Sequence, residues 1–292
     1  MALGNLAQRA LVAVVAVPVL IGILYFPDRA EPTWGLIMVA TLLAMQEFFN
    51  MTMPGADNAT DRKVGLVIGF AACSALYWLS PATLHPLHSP KVAMLANAGP
   101  LVAITITVLG SGLYYLFRFR DMNTVAQRFG FTLAGIVYCG FCFSFLALVR
   151  RDTGKIGADI IMLMLGLAWF ADTGGYFAGR FFGNSKLYPA VSPKKTWAGA
   201  FGGIAGSLLA AILMKLFRLK FLTWMDVGLI AIPGGMLGQM GDLAESMIKR
   251  SVGVKDSGAL LPGHGGILDR IDAVLFIAPY VYVYLMLAPL LH

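Results

Sequence analysis

A chain made mostly of apolar runs long enough to cross a bilayer, joined by short polar connections, has few folds open to it. A hydrocarbon core of about 30 Å needs roughly 20 apolar residues per helix, with a working range of about 17–25. By that ruler the sequence holds about nine runs, near residues 10–26, 34–50, 64–80, 99–117, 131–149, 159–182, 198–217, 227–248 and 271–291. Hydrophobic residues make up 58% of the chain and charged ones only 13%, with a mean hydropathy of +0.75, which sets it apart from soluble domains. Backbone polar groups in lipid must be satisfied within the segment, so the expected fold is all-α and polytopic. The 33 glycines fit that class, since Gly is commoner in membrane helices than in soluble ones. The first run lies where a signal peptide would. Its apolar part is long, and no small-x-small cleavage site appears before Pro27 and Asp28, so it is expected to be a retained helix.

The connections are asymmetric in charge. With nine spans, 14 of the 22 Lys and Arg fall on one side, which puts the N-terminus in the cytoplasm and the C-terminus outside. The basic connections 183–197 and 249–270 are two spans apart, so they share a side whatever the absolute orientation. A net charge of +7 on a chain with so few charges suits a membrane surface or an anionic substrate better than nucleic acid. Cys73, Cys139 and Cys142 sit inside apolar runs and read as small buried hydrophobes. The polar segments 51–63 and 81–98 read as loops. Glu47 is the main charge at membrane depth in the first half of the chain. Residues 1–150 are therefore expected to be scaffold helices, and 151–292 catalytic helices with cytoplasmic loops.

An ionisable group inside a span costs at least about 2.5–3.5 kcal/mol, and it normally faces a cavity that does work. The run 227–248 ends in Asp242, Glu245, Ser246 and Lys249, spaced i, i+3, i+4, i+7 on one helical face. A plain Glu245–Lys249 salt bridge would account for two of the four. Asp242 and Ser246 add oxygen ligands that such a bridge does not need. After Lys249-Arg250 come Lys255-Asp256-Ser257-Gly258, then Pro262-Gly263-His264-Gly265-Gly266, then Asp269-Arg270-Ile271-Asp272. Glycines around one His let backbone amides face an anion. Asp269 and Asp272 project from one side of a helix's first turn. Carboxylates with a hydroxyl suit a hard ion such as Mg²⁺, which takes one or two carboxylates plus substrate phosphate. The flanking Lys and Arg can hold phosphates. Upstream, Ser192 reads as an N-cap and Pro193 as a first helical residue. That would open the seventh span as a helix N-terminus favourable to phosphate beside Lys194 and Lys195.

The run Gly241-Asp242-Leu243-Ala244-Glu245-Ser246, with Lys249-Arg250, Lys255-Asp256, Pro262 to Gly266 and Asp269-Arg270-Ile271-Asp272, resembles the signature of the phosphatidate cytidylyltransferases. A second stretch is similar to the same family: Asp172-Thr173, Tyr176, Gly179-Arg180, Gly183, Lys186-Leu187 and Ser192-Pro193-Lys194-Lys195-Thr196. The resemblance is strong over residues 169–285. One position departs from it, since the family usually has Glu or Gln where this chain has Ala198.

The resemblance implies transfer of the cytidylyl group of CTP to phosphatidate, giving CDP-diacylglycerol and pyrophosphate. It implies Mg²⁺, in one site or two, leaves room for a monovalent cation such as K⁺, and suggests a homodimer in a bacterial cytoplasmic membrane with its active site facing the cytoplasm. On this reading Asp242 and Asp269 are the principal Mg²⁺ ligands, with Ser246 and Asp272 nearby. Lys249, Arg250, Lys255 and Arg270 hold phosphates, with Asp256 in the same catalytic group. His264 either donates to a phosphate or braces the glycine loop. Asp172, Tyr176, Arg180, Lys186, Ser192, Lys194, Lys195 and Thr196, with Gly263, Gly265 and Gly266, form the substrate-binding set. Arg180 and the lysine pair suit a triphosphate, and Asp172 suits either the cytidine or the lipid head group. Two rivals compete with this reading. A CTP-dependent lipid kinase of the polyprenol type would move the γ rather than the α phosphorus. A secondary transporter would use the intramembrane carboxylates for coupling ions, but the chain shows no inverted repeat.

Overall fold

In the computed structural model the described residues are 14, 17–26, 28–84, 98–118, 122–260 and 265–288. They form eight long helices: α1 Glu31–Thr52, α2 Ala59–Trp78, α3 Gly99–Phe117, α4 Met122–Asp152, α5 Ile156–Phe182, α6 Trp197–Phe217, α7 Trp224–Ser251 and α8 Leu268–Leu287. Residues 17–25 are helical as well. Six of these helices (α1, α3, α4, α5, α6 and α8) are long and apolar enough to cross a membrane. The chain is an all-α membrane protein. α2 and α7 have the length, at 20 and 28 residues, but α2 carries charged side chains near its start and α7 near both ends.

The surface is apolar where lipid would lie, with Leu101, Leu116, Phe117 and Phe201 all more than half exposed. Inside, Met45, Phe48 and Phe49 of α1 meet Ile136 and Phe143 of α4, and the cluster continues through Met164 and Leu167 of α5 to Leu275 and Ile277 of α8. α5 packs most extensively on α6, and α7 lies between α6 and α8. α4 contacts α1 on one side and α5 and α8 on the other, joining the two halves. Cys73, Cys139 and Cys142 are free thiols; the first two are fully buried.

Lipid offers apolar side chains no hydrophobic drive to associate, so close backbone packing must hold the helices together. The α5–α6 seam shows it. Gly174, Gly175 and Gly179 face Gly199, Gly202, Gly203 and Gly206, and a Cβ on Gly206 would collide with the Phe170 carbonyl oxygen. Gly241 does the same for α7 and α8: a Cβ there would collide with the carbonyl oxygen of Asp272, so this glycine brings Asp242 and Asp272 onto touching turns.

Two expectations need correction. The helix after Lys194-Lys195 does not start at Ser192-Pro193. Residues Lys186–Tyr188 (β1) and Ser192–Thr196 (β2) form a short antiparallel ribbon, pairing Lys186 with Thr196 and Tyr188 with Ser192. Pro193 is tolerated there because a two-stranded ribbon is all edge. The N-cap of α6 is Thr196, extended at φ −128°, ψ 157°, whose hydroxyl accepts from the Gly199 amide at 3.1 Å. Segment 51–63 is also mostly helical, because α2 begins at Ala59. Two of its charges, Asp61 and Arg62, are paired in place. Asp61 is fully buried and paired with Arg128 at 2.9 Å and Arg118 at 3.2 Å, while Arg62 donates to the carbonyls of Met53 and Gly55. Most of 81–98 lies outside the described residues.

Candidate active site

α7 owes its length to both ends. Thr223 and Asp226 form a reciprocal capping box at its start, and Lys249 and Arg250 sit in its last turn, where cations favour the helix dipole. Gly234, Gly235, Gly238 and Gly241 thin its middle so that α5, α6 and α8 pack close against it, and Gly235 and Gly238 border a space left between these helices.

That space is a cavity of about 390 Å³. Leu167, Ala168 and Ala171 of α5 and Ile277 of α8 line its apolar side. Its polar side carries Asp172, Tyr176, Arg180, Lys194, Lys195, Thr196, Gln239 and Asp242. Lys195 Nζ meets Asp242 Oδ2 at 2.7 Å, and the Tyr176 hydroxyl accepts from Arg180 at 2.8 Å. The Lys195–Asp242 pair joins the two stretches singled out in the sequence, 47 residues apart, on one side of the bundle.

One turn further along α7 lies a second polar cluster. Lys249 Nζ donates to Glu245 Oε2 at 2.8 Å and to Asp269 Oδ1 at 2.6 Å. Asp269 Oδ2 accepts from the amides of Gly266 at 3.0 Å and Ser257 at 3.1 Å. Gly265 turns the chain into α8 at φ +81°, a conformation side-chain-bearing residues rarely adopt. Ser246 Oγ lies 3.4 Å from Asp242 Oδ1, linking this cluster to the cavity. The Asp272 carboxylate accepts from the Ala273 amide at 2.7 Å, and Asp242 and Asp172 are both within electrostatic range of it.

The cytidylyltransferase family model matches residues 7–288, almost the whole chain. The chain belongs to the cytidylyltransferase family. Similar curated relatives include proteins named phosphatidate cytidylyltransferase from three staphylococci. The one from Staphylococcus epidermidis strain RP62A is 34% identical, over 95% of this chain and 98% of the relative. Those from Staphylococcus haemolyticus JCSC1435 and Staphylococcus aureus COL are 33% and 32% identical over the same shares.

The cytidylyltransferase signature thus divides between cavity and loop. Asp172, Tyr176, Arg180, Lys194, Lys195, Thr196 and Asp242 line the cavity; Lys249, Asp269, Gly265 and Gly266 build the loop cluster. Arg250, Lys255, Asp256 and Arg270 are exposed around the end of α7 and the start of α8. Lys186 and Ser192 are on the ribbon but not on the cavity wall, where Leu187 stands instead. Gly263 and His264 lie outside the described residues. Ala198, half-buried, occupies the first turn of α6. Three contributors were not singled out as site residues from sequence. Gln239 lines the cavity one turn before Asp242 and donates to the Ala200 carbonyl at 3.1 Å. The Ser257 hydroxyl and Glu47 join the loop, and Glu47 had shown itself only as a charge at membrane depth.

Proposed function

We propose that this cytidylyltransferase transfers the cytidylyl group of CTP to phosphatidate, producing CDP-diacylglycerol and pyrophosphate for phospholipid synthesis. The observation that carries the reading is the cavity spanned by Lys195 and Asp242, largely apolar, with cations and carboxylates along one wall. A lipid phosphate entering it can keep its acyl chains against Leu167, Ala171 and Ile277 while its head group meets the charged wall. The relatives' names, which give phosphatidate and a cytidylyl transfer, support this reading.

The chemistry asks little of a general base. A phosphate monoester has a second pKa near about 6, so it is already a dianion at neutral pH. An oxygen of that dianion attacks the α-phosphorus of CTP, a new P–O bond forms, the bond from the α-phosphorus to the bridging oxygen breaks, and pyrophosphate leaves with the electron pair. The obstacle is bringing polyanions together, which positioning and charge neutralisation overcome. Arg180, Lys194 and Lys195 would grip the triphosphate, while Lys249, Arg250, Lys255 and Arg270 would meet the phosphates from the loop side.

Mg²⁺ fits the donor set. Asp242, Asp269 and Asp272 with the Ser246 hydroxyl are all hard oxygen donors, and Asp242 and Asp269 each already bind a cation, the ammonium groups of Lys195 and Lys249. Among the described residues no group of three or more His, Cys, Asp or Glu is arranged to hold a metal. Mg²⁺ does not require one, because substrate phosphate and water complete its shell. When bound, the ion neutralises charge on the phosphates. A second metal or K⁺ is left open by the same donors.

The working unit on this reading has nine spans, counting α2, α7 and the helix through 17–25. It sits in a bacterial cytoplasmic membrane with the cavity facing the cytoplasm, as the Lys/Arg asymmetry and the supply of CTP favour. A homodimer and the division into scaffold (1–150) and catalytic (151–292) halves rest on the resemblance and on where the signature lies. The test is pyrophosphate release by purified protein in detergent. Release should require CTP, phosphatidate and Mg²⁺ together and stop on adding a chelator; release without phosphatidate would refute the transfer.

A further inference from the structure

Glu47 belongs to α1, in the half of the chain that carries none of the signature, and is only 7% exposed. A carboxylate in such a place needs partners. Among the described residues its hydrogen bonds all come from the signature segment. Oε2 accepts from the Ser257 hydroxyl at 3.0 Å and the Leu268 amide at 2.9 Å, and Oε1 accepts from the Ile267 amide at 3.0 Å. Ile267 and Leu268 open α8, and amides at a helix start have no acceptor within the helix. Among the described residues no local side chain caps the N-cap position of α8. A carboxylate from another helix does so, with the charge the helix N-terminus favours.

The loop leaves room for it. A Cβ on Gly258 would stand 2.6 Å from Glu47 Oε1, and one on Gly266 would collide with both the Ser257 hydroxyl and Glu47 Oε2. Ser257 then carries the link inward. Its hydroxyl holds Glu47 while its amide donates to Asp269, and Asp269 holds Lys249. Gly266, adjacent to Ile267, gives its amide to the same Asp269 oxygen.

We propose that Glu47 is a positioning residue for cytidylyl transfer, locking Ser257 and the first turn of α8 so that Asp269 and Lys249 keep their places. The proposal rests on the function inferred above. It gives the N-terminal helices a part in the chemistry beyond forming a wall.

The test is Glu47→Gln in the full chain in detergent. Gln keeps the shape but replaces one accepting oxygen with a donating NH₂ that faces other donors. Misplacement by about 1 Å can cost about a hundredfold in rate, so kcat should fall about ten- to a hundredfold. KM for CTP and for phosphatidate should stay within about threefold of wild type. Hydrogen exchange at the Ile267 and Leu268 amides should quicken while exchange in α5 and α6 is unchanged. Adding Ser257→Ala should cost little more, because the two residues act through one link. A kcat within about twofold of wild type, or a KM effect alone, would overturn the proposal. If Glu47→Gln does not fold, Ser257→Ala alone decides: lowered kcat with faster exchange at the two amides supports the link, and a wild-type kcat refutes it. A wild type that makes no CDP-diacylglycerol would refute the function instead, and the exchange measurement would still test the link.

Discussion

Asp269→Asn is expected to lower the rate of cytidylyl transfer by about a hundredfold to a thousandfold, the range seen when one preorganised polar contact is lost from an active site. The protein should still fold. Both carboxylate oxygens of Asp269 are committed, Oδ1 to Lys249 at 2.6 Å and Oδ2 to the amides of Gly266 and Ser257. Asn keeps one acceptor and turns the other into a donor, which must then face an ammonium or a backbone N–H. Either Lys249 keeps only Glu245 or the amides of Gly266 and Ser257 lose their acceptor, and in both cases the oxygen donors proposed for Mg²⁺ lose a charge. The measurement is steady-state transfer at saturating CTP and Mg²⁺, with the thermal midpoint in detergent recorded alongside. A near-full rate would remove Asp269 from the metal and phosphate machinery while leaving the family assignment untouched.

Lys249→Met is expected to destabilise as well as inactivate. The Lys249 ammonium is shared by Glu245, which is 1% exposed, and by Asp269. Taking one partner from a buried ion pair leaves an uncompensated charge and costs about 3–5 kcal/mol. Glu245 would be left the more exposed to this loss, since its Oε1 has no hydrogen-bond partner among the described residues. The thermal midpoint should therefore drop, and a second change, Glu245→Gln, should recover most of it without restoring transfer. That split separates the structural work of the pair from its chemistry. A Lys249→Met protein as stable as wild type would show that the cluster is well hydrated and that the charge argument fails.

The sequence was informative wherever the bilayer imposes a length or a periodicity. Apolar runs of about 20 residues locate helices because lipid leaves the backbone no alternative. Counting spans between the two basic connections places them on one side, and in the fold Lys195 of the first meets Asp242, two turns before the end of the helix that leads into the second. The i, i+3, i+7 spacing likewise put Asp242, Glu245 and Lys249 on one face. Local signals failed where a tertiary partner outbid them. Ser192-Pro193 is a sound helix start in isolation, yet β1 captures those residues as a strand and hands the cap to Thr196, four residues later. Glu47 marks the other limit. Its charge within an apolar run shows in the sequence, but its partner Ser257 is 210 residues away and no periodicity connects them. Gln239 was within reach, lying one helical turn before Asp242 on the cavity face.

The central claim is that this cavity moves the α-phosphorus of CTP onto a lipid phosphate. The most direct measurement supplies the purified protein with phosphatidate, Mg²⁺ and CTP labelled at either the α or the γ phosphorus, then extracts the lipid. The account predicts α label in the lipid and γ label in released pyrophosphate. Label from the γ position in the lipid would instead show a kinase, and would contradict the reaction assigned to these residues.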